Sequence, residues 1–157
     1  YIALGLMSGS LLLATVQAII SGDLSGTLQL LSLSLLVLGA VGKLVYLFWI
    51  GKPAGSTINS ATGFTQASVR LLDQGHTSNS FLNNEFGYTV EANKLVRLRL
   101  LMLVLAFVVP FLLLLTGSST LLVVAALLTV AGLLVERWLF FAEARHVVRL
   151  FHGDQTV

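Results

Sequence analysis

Four runs of about twenty apolar residues each decide what this chain can become. They are Tyr1 to about Ile20, Thr27 to Ile50, about Leu95 to Thr116, and about Gly117 to Val135. A helix rises 1.5 Å per residue, so roughly 20 residues cross a hydrocarbon core about 30 Å thick. The first run carries no charge, the second carries Lys43, and the third has Arg97 and Arg99 at its start. Leu, Val and Ala dominate with little alternation, which favours helices over barrel strands. The expected fold is therefore all-α: a polytopic transmembrane helix bundle of four spans. Composition agrees, with 56% hydrophobic and 10% charged residues, against about 25% charged in ordinary soluble domains. That excludes a soluble globular domain and a disordered chain. With no cysteine, the chain cannot itself build a disulfide, an iron–sulfur cluster or a thiolate zinc site.

The connections divide the chain into three parts. Ser21-Gly22-Asp23-Leu24-Ser25-Gly26 and Gly117-Ser118-Ser119-Thr120 are tight turns, each closing a helical hairpin. Residues 1–50 form the first hairpin and residues 89–157 the second, its last helix expected to continue through Glu136–His152. Between them, residues 51–88 form a polar loop with apolar patches at Val69–Leu72 and Phe81–Leu82. Loops beyond about 15 residues are usually functional or disordered, and the patches favour an ordered docking loop. Its aromatics Phe81, Phe86 and Tyr88 are the expected anchors for a soluble partner, since aromatics commonly dominate interfaces. Thr89 is the expected N-cap of the third helix, and Pro110 should kink that span. The chain enters its first apolar run at Tyr1 without the basic region of a secretory signal. It reads as a C-terminal piece of a longer membrane protein.

Charge placement sets topology rather than a nucleic-acid site. The net charge is +2, but the cations lie at the ends of apolar runs and not in a stripe. Both tight turns lack Lys and Arg, whereas Lys52, Arg70, Lys94, Arg97, Arg99, Arg145 and Arg149 flank the opposite side. The positive-inside rule places the loop and the C-terminus in the cytoplasm of a bacterial inner membrane.

Few residues in the spans carry chemistry. Gly5-Leu6-Met7-Ser8-Gly9 is a small-xxx-small pattern that suits a close helix contact. His76, His146 and His152 lie outside the apolar spans, so this chain lacks the facing His pair of a membrane haem. The most distinctive stretch is Glu136-Arg137-Trp138-Leu139-Phe140-Phe141-Ala142-Glu143. Its aromatics suit an interfacial belt, and simple anchoring explains them. Intramembrane ionisable residues are also functional candidates by default; in that reading Glu136, Arg137 and Glu143 face the bundle interior near a quinol head group or a partner subunit. Lys43 lies sixteen residues past Thr27, and Glu136 nineteen past Gly117. Both are then roughly 24–28 Å from the turn side on spans running the same way, so a buried Lys43–Glu136 ion pair is expected. Adjacent helical residues point about 100° apart, which leaves Arg137 free to reach a head group or partner. The alternative for Lys43 is snorkelling to the nearby membrane end.

The last span with Arg137-Trp138-Leu139-Phe140-Phe141 resembles the end of the dimethyl sulfoxide reductase membrane anchor subunit family. The Arg-x-x-Phe-aromatic pattern falls on Arg137, Phe140 and Phe141. The loop stretches Ser56-Thr57-Ile58-Asn59-Ser60-Ala61, Gly75-His76-Thr77-Ser78 and Asn84-Glu85-Phe86-Gly87-Tyr88 resemble the longer-looped bacterial members. Family members often place Gly before the Arg, where this chain has Glu136. The resemblance implies an eight-helix anchor, of which this chain supplies the last four spans. It implies an anchor without haem that oxidises menaquinol in anaerobic respiration. Electrons would pass to an iron–sulfur subunit that feeds a molybdopterin catalytic subunit. Half of a secondary transporter and a purely structural membrane protein stand as alternative readings.

Overall fold

The structure, a computed structural model, describes residues 1–52, 55–64, 68–70, 72, 90–144 and 150. Its elements are α1 (Ile2–Ser21), α2 (Gly26–Ile50), α3 (Ile58–Thr62), α4 (Ala92–Leu103), a π-helical turn (Val104–Val108), α5 (Val109–Leu115) and α6 (Ser119–Ala142). α4, the π turn and α5 run on as one span, Ala92–Leu115; with α1, α2 and α6 this makes four helices long and apolar enough to cross a membrane among the described residues. The chain is an all-α, multi-pass membrane protein.

The four spans form a ring. α1 packs on α2 and α6, and the third span packs on α6 and α2. Neighbours run antiparallel, as short turns require. α2 and α6 run parallel and oppose each other across a diagonal. Both turns use a left-handed glycine, Gly22 at φ 77° and Gly117 at φ 68°, a conformation that costs glycine no Cβ clash. The turn ends are tied together: Ser119 donates to the Gly22 carbonyl at 3.0 Å, and Gln29 donates to the Leu114 carbonyl at 2.7 Å. Near this end the core is Leu11, Ala14, Ala18, Leu114, Leu122, Ala125 and Ala126. Toward the loop side it is Met7, Leu36, Met102, Ala106, Phe107 and Leu139.

Pro110 acts through the turn before it. Proline lacks an N–H and its ring presses on the carbonyl four residues back. The helix widens instead: the Val109 N–H donates to the Val104 carbonyl, a five-residue bond. This is a π bulge, one of the few ways a span absorbs an extra residue without breaking.

Three sequence expectations are corrected. The third span begins at Ala92 with Glu91 at its N-cap, not at Thr89, which lies outside the described residues. Glu91 makes no side-chain cap bond, but its charge sits at the positive end of the helix dipole. α6 itself ends at Ala142, and residues 145–149, 151 and 152 of the expected continuation lie outside the described residues. Glu143 is its C-cap, and the Glu143 carboxylate is held by Arg99 instead of lying along a further turn. Finally, a Cβ at Gly5 or Gly9 would meet nothing within 4 Å, so their pattern makes no close contact in this bundle. The close approaches are at Gly39 and Gly132. A Cβ at Gly132 would stand 2.5 Å from the Ala106 nitrogen and 2.8 Å from its Cα. The backbones of α6 and the π turn therefore touch there.

In the loop, α3 is a single capped turn. The Thr57 and Ser60 side chains satisfy each other's backbone N–H groups in a capping box, and Ile58 is buried beneath them. The expected docking residues Phe81, Phe86 and Tyr88 lie outside the described residues, as do His76, His146 and His152.

Candidate functional site

Two charged side chains are buried where α2 and α6 face each other. Lys43 is 6% exposed and Glu136 is 4% exposed. The Lys43 ammonium donates to Glu136 Oε1 at 2.6 Å. Lys43 thus does not snorkel, and the pair bridges the diagonal of the ring. The reason is electrostatic. A lone charge at membrane depth costs about 2.5–3.5 kcal/mol on insertion scales, and a partner relieves much of that cost. The ammonium also lies 4.2 Å from the centroid of the Tyr46 ring, three residues on and so on the same helix face. The ring's negative face adds a second attraction.

Beside the pair is a cavity of about 210 Å³, walled by Tyr1, Gly42, Lys43, Tyr46, Glu136 and Phe140 among others. Gly42 borders it, and a Cβ there would meet nothing within 4 Å. A smaller cleft of about 140 Å³ also reaches Glu136 and is bordered by Tyr1, Ser8 and Arg137. Glu136 therefore borders both spaces.

A second pair lies two turns nearer the loop side. Arg99 of α4 donates to Glu143 Oε1 at 2.7 Å; the Glu143 side chain is 5% exposed and that of Arg99 is 31% exposed. Glu136 and Glu143 are seven residues apart on α6 and share a face, about 10 Å apart along the axis.

Of the three interior candidates, Glu136 and Glu143 turn inward and Arg137 does not. Arg137 is exposed, with its guanidinium 4.1 Å from the centroid of the Tyr1 ring. Tyr1 in turn meets Phe140 edge to face at 5.5 Å. The 100° step between residues 136 and 137 separates the buried carboxylate from the surface cation. Tyr46, Gly42 and the Arg99–Glu143 pair were not singled out by sequence reasoning. Tyr46 carried a usable signal in its three-residue spacing from Lys43. Arg99 was visible only as a cation at the start of a span.

The arrangement offers a hydrogen-bond donor, a carboxylate and a phenol beside an apolar cavity at membrane depth. It suits a small neutral ring bearing oxygens that gain and lose protons. Among the described residues no group of three or more His, Cys, Asp or Glu is placed to hold a metal ion.

The chain is 38% identical over 157 residues to one of the subunits of a sulfite dehydrogenase from Allochromatium vinosum. The match covers 97% of this chain and 48% of the relative, so the chain spans about half the length of the curated relative it matches. No protein-family model matches the chain, and no solved structure matches it.

Proposed function

We propose that the chain is a membrane subunit of an oxidoreductase complex and exchanges electrons with a quinone of the bilayer through the cavity beside Lys43 and Glu136. The observation that carries this reading is the buried Lys43–Glu136 pair opening onto an apolar space of about 210 Å³. Ligand pockets usually measure roughly 300–1,000 Å³, so this one suits a single head group whose isoprenoid tail stays in lipid. The Lys43 ammonium would donate to a quinone oxygen, and the Glu136 carboxylate would accept from a hydroquinone hydroxyl. Similarity to a sulfite dehydrogenase subunit supports a redox complex in general; it does not single out dimethyl sulfoxide reductase anchors. In the finer reading, menaquinol is the substrate, and an iron–sulfur subunit and a molybdopterin subunit are the partners. They dock on the loop side, in the cytoplasm. The cavity lies toward that side, which keeps the electron path to a docked cluster short.

Gly42→Leu tests the cavity without touching the charges. Its side chain should fill the space and leave the ion pair in place. In membranes carrying the native complex, a fluorescent hydroxyquinoline N-oxide, a quinol analogue, should bind the wild type. It should bind Gly42→Leu more than tenfold more weakly, at equal protein level. Equal affinity in both would remove the quinone from this cavity. The docking loop has its own test. Deleting residues 74–84 should release iron- and molybdenum-containing subunits from the membrane while the anchor stays inserted. Fully retained, active enzyme after the deletion would count against docking there.

The transporter reading gains no support. Its hallmark is a helix unwound near the midplane with charge aimed at the break. Here the mid-span irregularity is a hydrogen-bonded π turn whose residues, Val104–Val108, are all apolar.

A further inference from the structure

Lys43 pairs with Glu136 and Arg99 with Glu143, and among the described residues Arg137 has no carboxylate partner. It is exposed on α6, a helix of 24 residues. Such a helix is about 36 Å long, against a hydrocarbon core of about 30 Å. Arg137 lies five residues before the helix end at Ala142. With the span centred in the core, its Cα is about 5 Å inside the loop-side boundary. A long cationic side chain covers that distance and sets its head group at the level of the lipid phosphates. Beside it lies the smaller cleft, about 140 Å³ and half-open, bordered by Leu4, Gly5 and Ser8 of α1 and by Leu133 and Arg137 of α6, with Tyr1 at its loop-side end. Tyr1 and Ser8 are seven residues apart, so the cleft runs about 10 Å along the helix axis. A Cβ at Gly5 would meet nothing within 4 Å, which leaves that stretch of wall unfilled. The neighbouring Ile2, Leu6 and Leu134 are exposed and form an apolar surface that suits acyl chains. Glu136 also borders the cleft, but its carboxylate is neutralised by Lys43 at 2.6 Å. The Tyr1 ring, 4.1 Å from the guanidinium, holds the cation at the mouth of the cleft.

We propose that this cleft binds one anionic phospholipid, with its phosphodiester on Arg137 and one acyl chain in the groove between α1 and α6. Charge complementarity selects the ligand. The guanidinium presents N–H donors in a fork that matches two phosphate oxygens. A zwitterionic lipid carries its own ammonium, which competes with Arg137 for the phosphate; phosphatidylglycerol carries none. A free phosphate would meet the cation but leave the apolar groove below it empty. Basic pockets between transmembrane helices are a recurrent setting for anionic head groups. Arg97 supplies the contrast. It lies five residues past the start of the third span at Ala92, hence at a matching depth, and it is exposed with no carboxylate partner among the described residues. It lines neither cavity, so it offers diffuse charge, whereas Arg137 joins charge to a groove. The inference stands apart from the quinone reading and does not depend on it.

The test uses the intact complex, purified in neutral detergent and titrated with phosphatidylglycerol or with phosphatidylcholine of the same chains. Native mass spectrometry counts the bound lipids. The wild type should hold at least one phosphatidylglycerol tenfold more tightly than the matching phosphatidylcholine, and Arg137→Gln should lose one such lipid. Arg137→Lys guards against a folding artefact: it keeps the charge without the fork and should retain the lipid with weakened affinity. Gly5→Leu, which fills the groove and leaves the charge, should weaken binding at least fivefold. Arg97→Gln should bind as the wild type does. Retention of the full set of lipids by Arg137→Gln overturns the site. An equal loss in Arg97→Gln also overturns it, since diffuse charge would then explain the preference. Displacement of the lipid by inorganic phosphate at equal concentration would show an anion site without a chain. A wild type with no preference, as when another transmembrane helix covers the cleft, overturns the proposal as well.

Discussion

Lys43→Glu is expected to lower the amount of membrane-inserted protein by at least tenfold, and adding Glu136→Lys is expected to restore it. In the native chain the two charges are 6% and 4% exposed and 2.6 Å apart. Breaking a buried pair by removing one partner costs about 3–5 kcal/mol, because the other charge is left uncompensated. Lys43→Glu goes further and sets two carboxylates against each other. Native stability is only about 5–15 kcal/mol, and a loss of even 1–2 kcal/mol changes cellular abundance several-fold. The double variant exchanges the charges across the same diagonal and recovers the pairing. Immunoblotting of washed membranes reads the outcome. A double variant as depleted as the combined single variants would show that the pair contributes nothing.

Gly132 is the second sensitive position. A Cβ there would lie 2.5 Å from the Ala106 nitrogen, 2.8 Å from its Cα and 2.8 Å from its Cβ. These are backbone atoms or the first side-chain atom, and they cannot swing away. Overpacking a filled core costs about 1–3 kcal/mol and sometimes more, so Gly132→Ala should lower the unfolding temperature in detergent by several degrees. Gly132→Leu should prevent α6 from seating at all. Ala106→Gly should rescue Gly132→Ala only in part, because it removes the Cβ contact and leaves the nitrogen and Cα. The control is Gly5→Ala, which meets open space and should be neutral. An unchanged melting profile for Gly132→Ala would mean that the two backbones are not in contact.

The glycines show where sequence reading reaches and where it stops. Spans, turns and charge levels are legible because they depend on local quantities: run length, turn residues and a fixed rise per residue. That is why the four spans and the common depth of Lys43 and Glu136 are readable from the chain. A close helix contact depends on which faces meet, and that is set by the ring arrangement. Gly5 and Gly9 carry the familiar spacing yet approach nothing, whereas Gly39 and Gly132 have no motif and touch Met7 and Ala106. The Arg99–Glu143 pair joins residues 44 apart across two helices, and no periodicity announces it. The end of α6 at Ala142 was hidden because the residues that follow keep helical composition.

The π turn sets the angular phase of the third span. Met102, Ala106, Pro110 and Leu114 are all buried and follow one another at intervals of four. In an ideal helix each such interval overshoots a full turn by about 40°, so the series would drift by roughly 120° and carry one end of the span outward to lipid. The extra residue in the widened turn takes up about 100° of that drift. The two halves of the span thereby keep a common inward meridian.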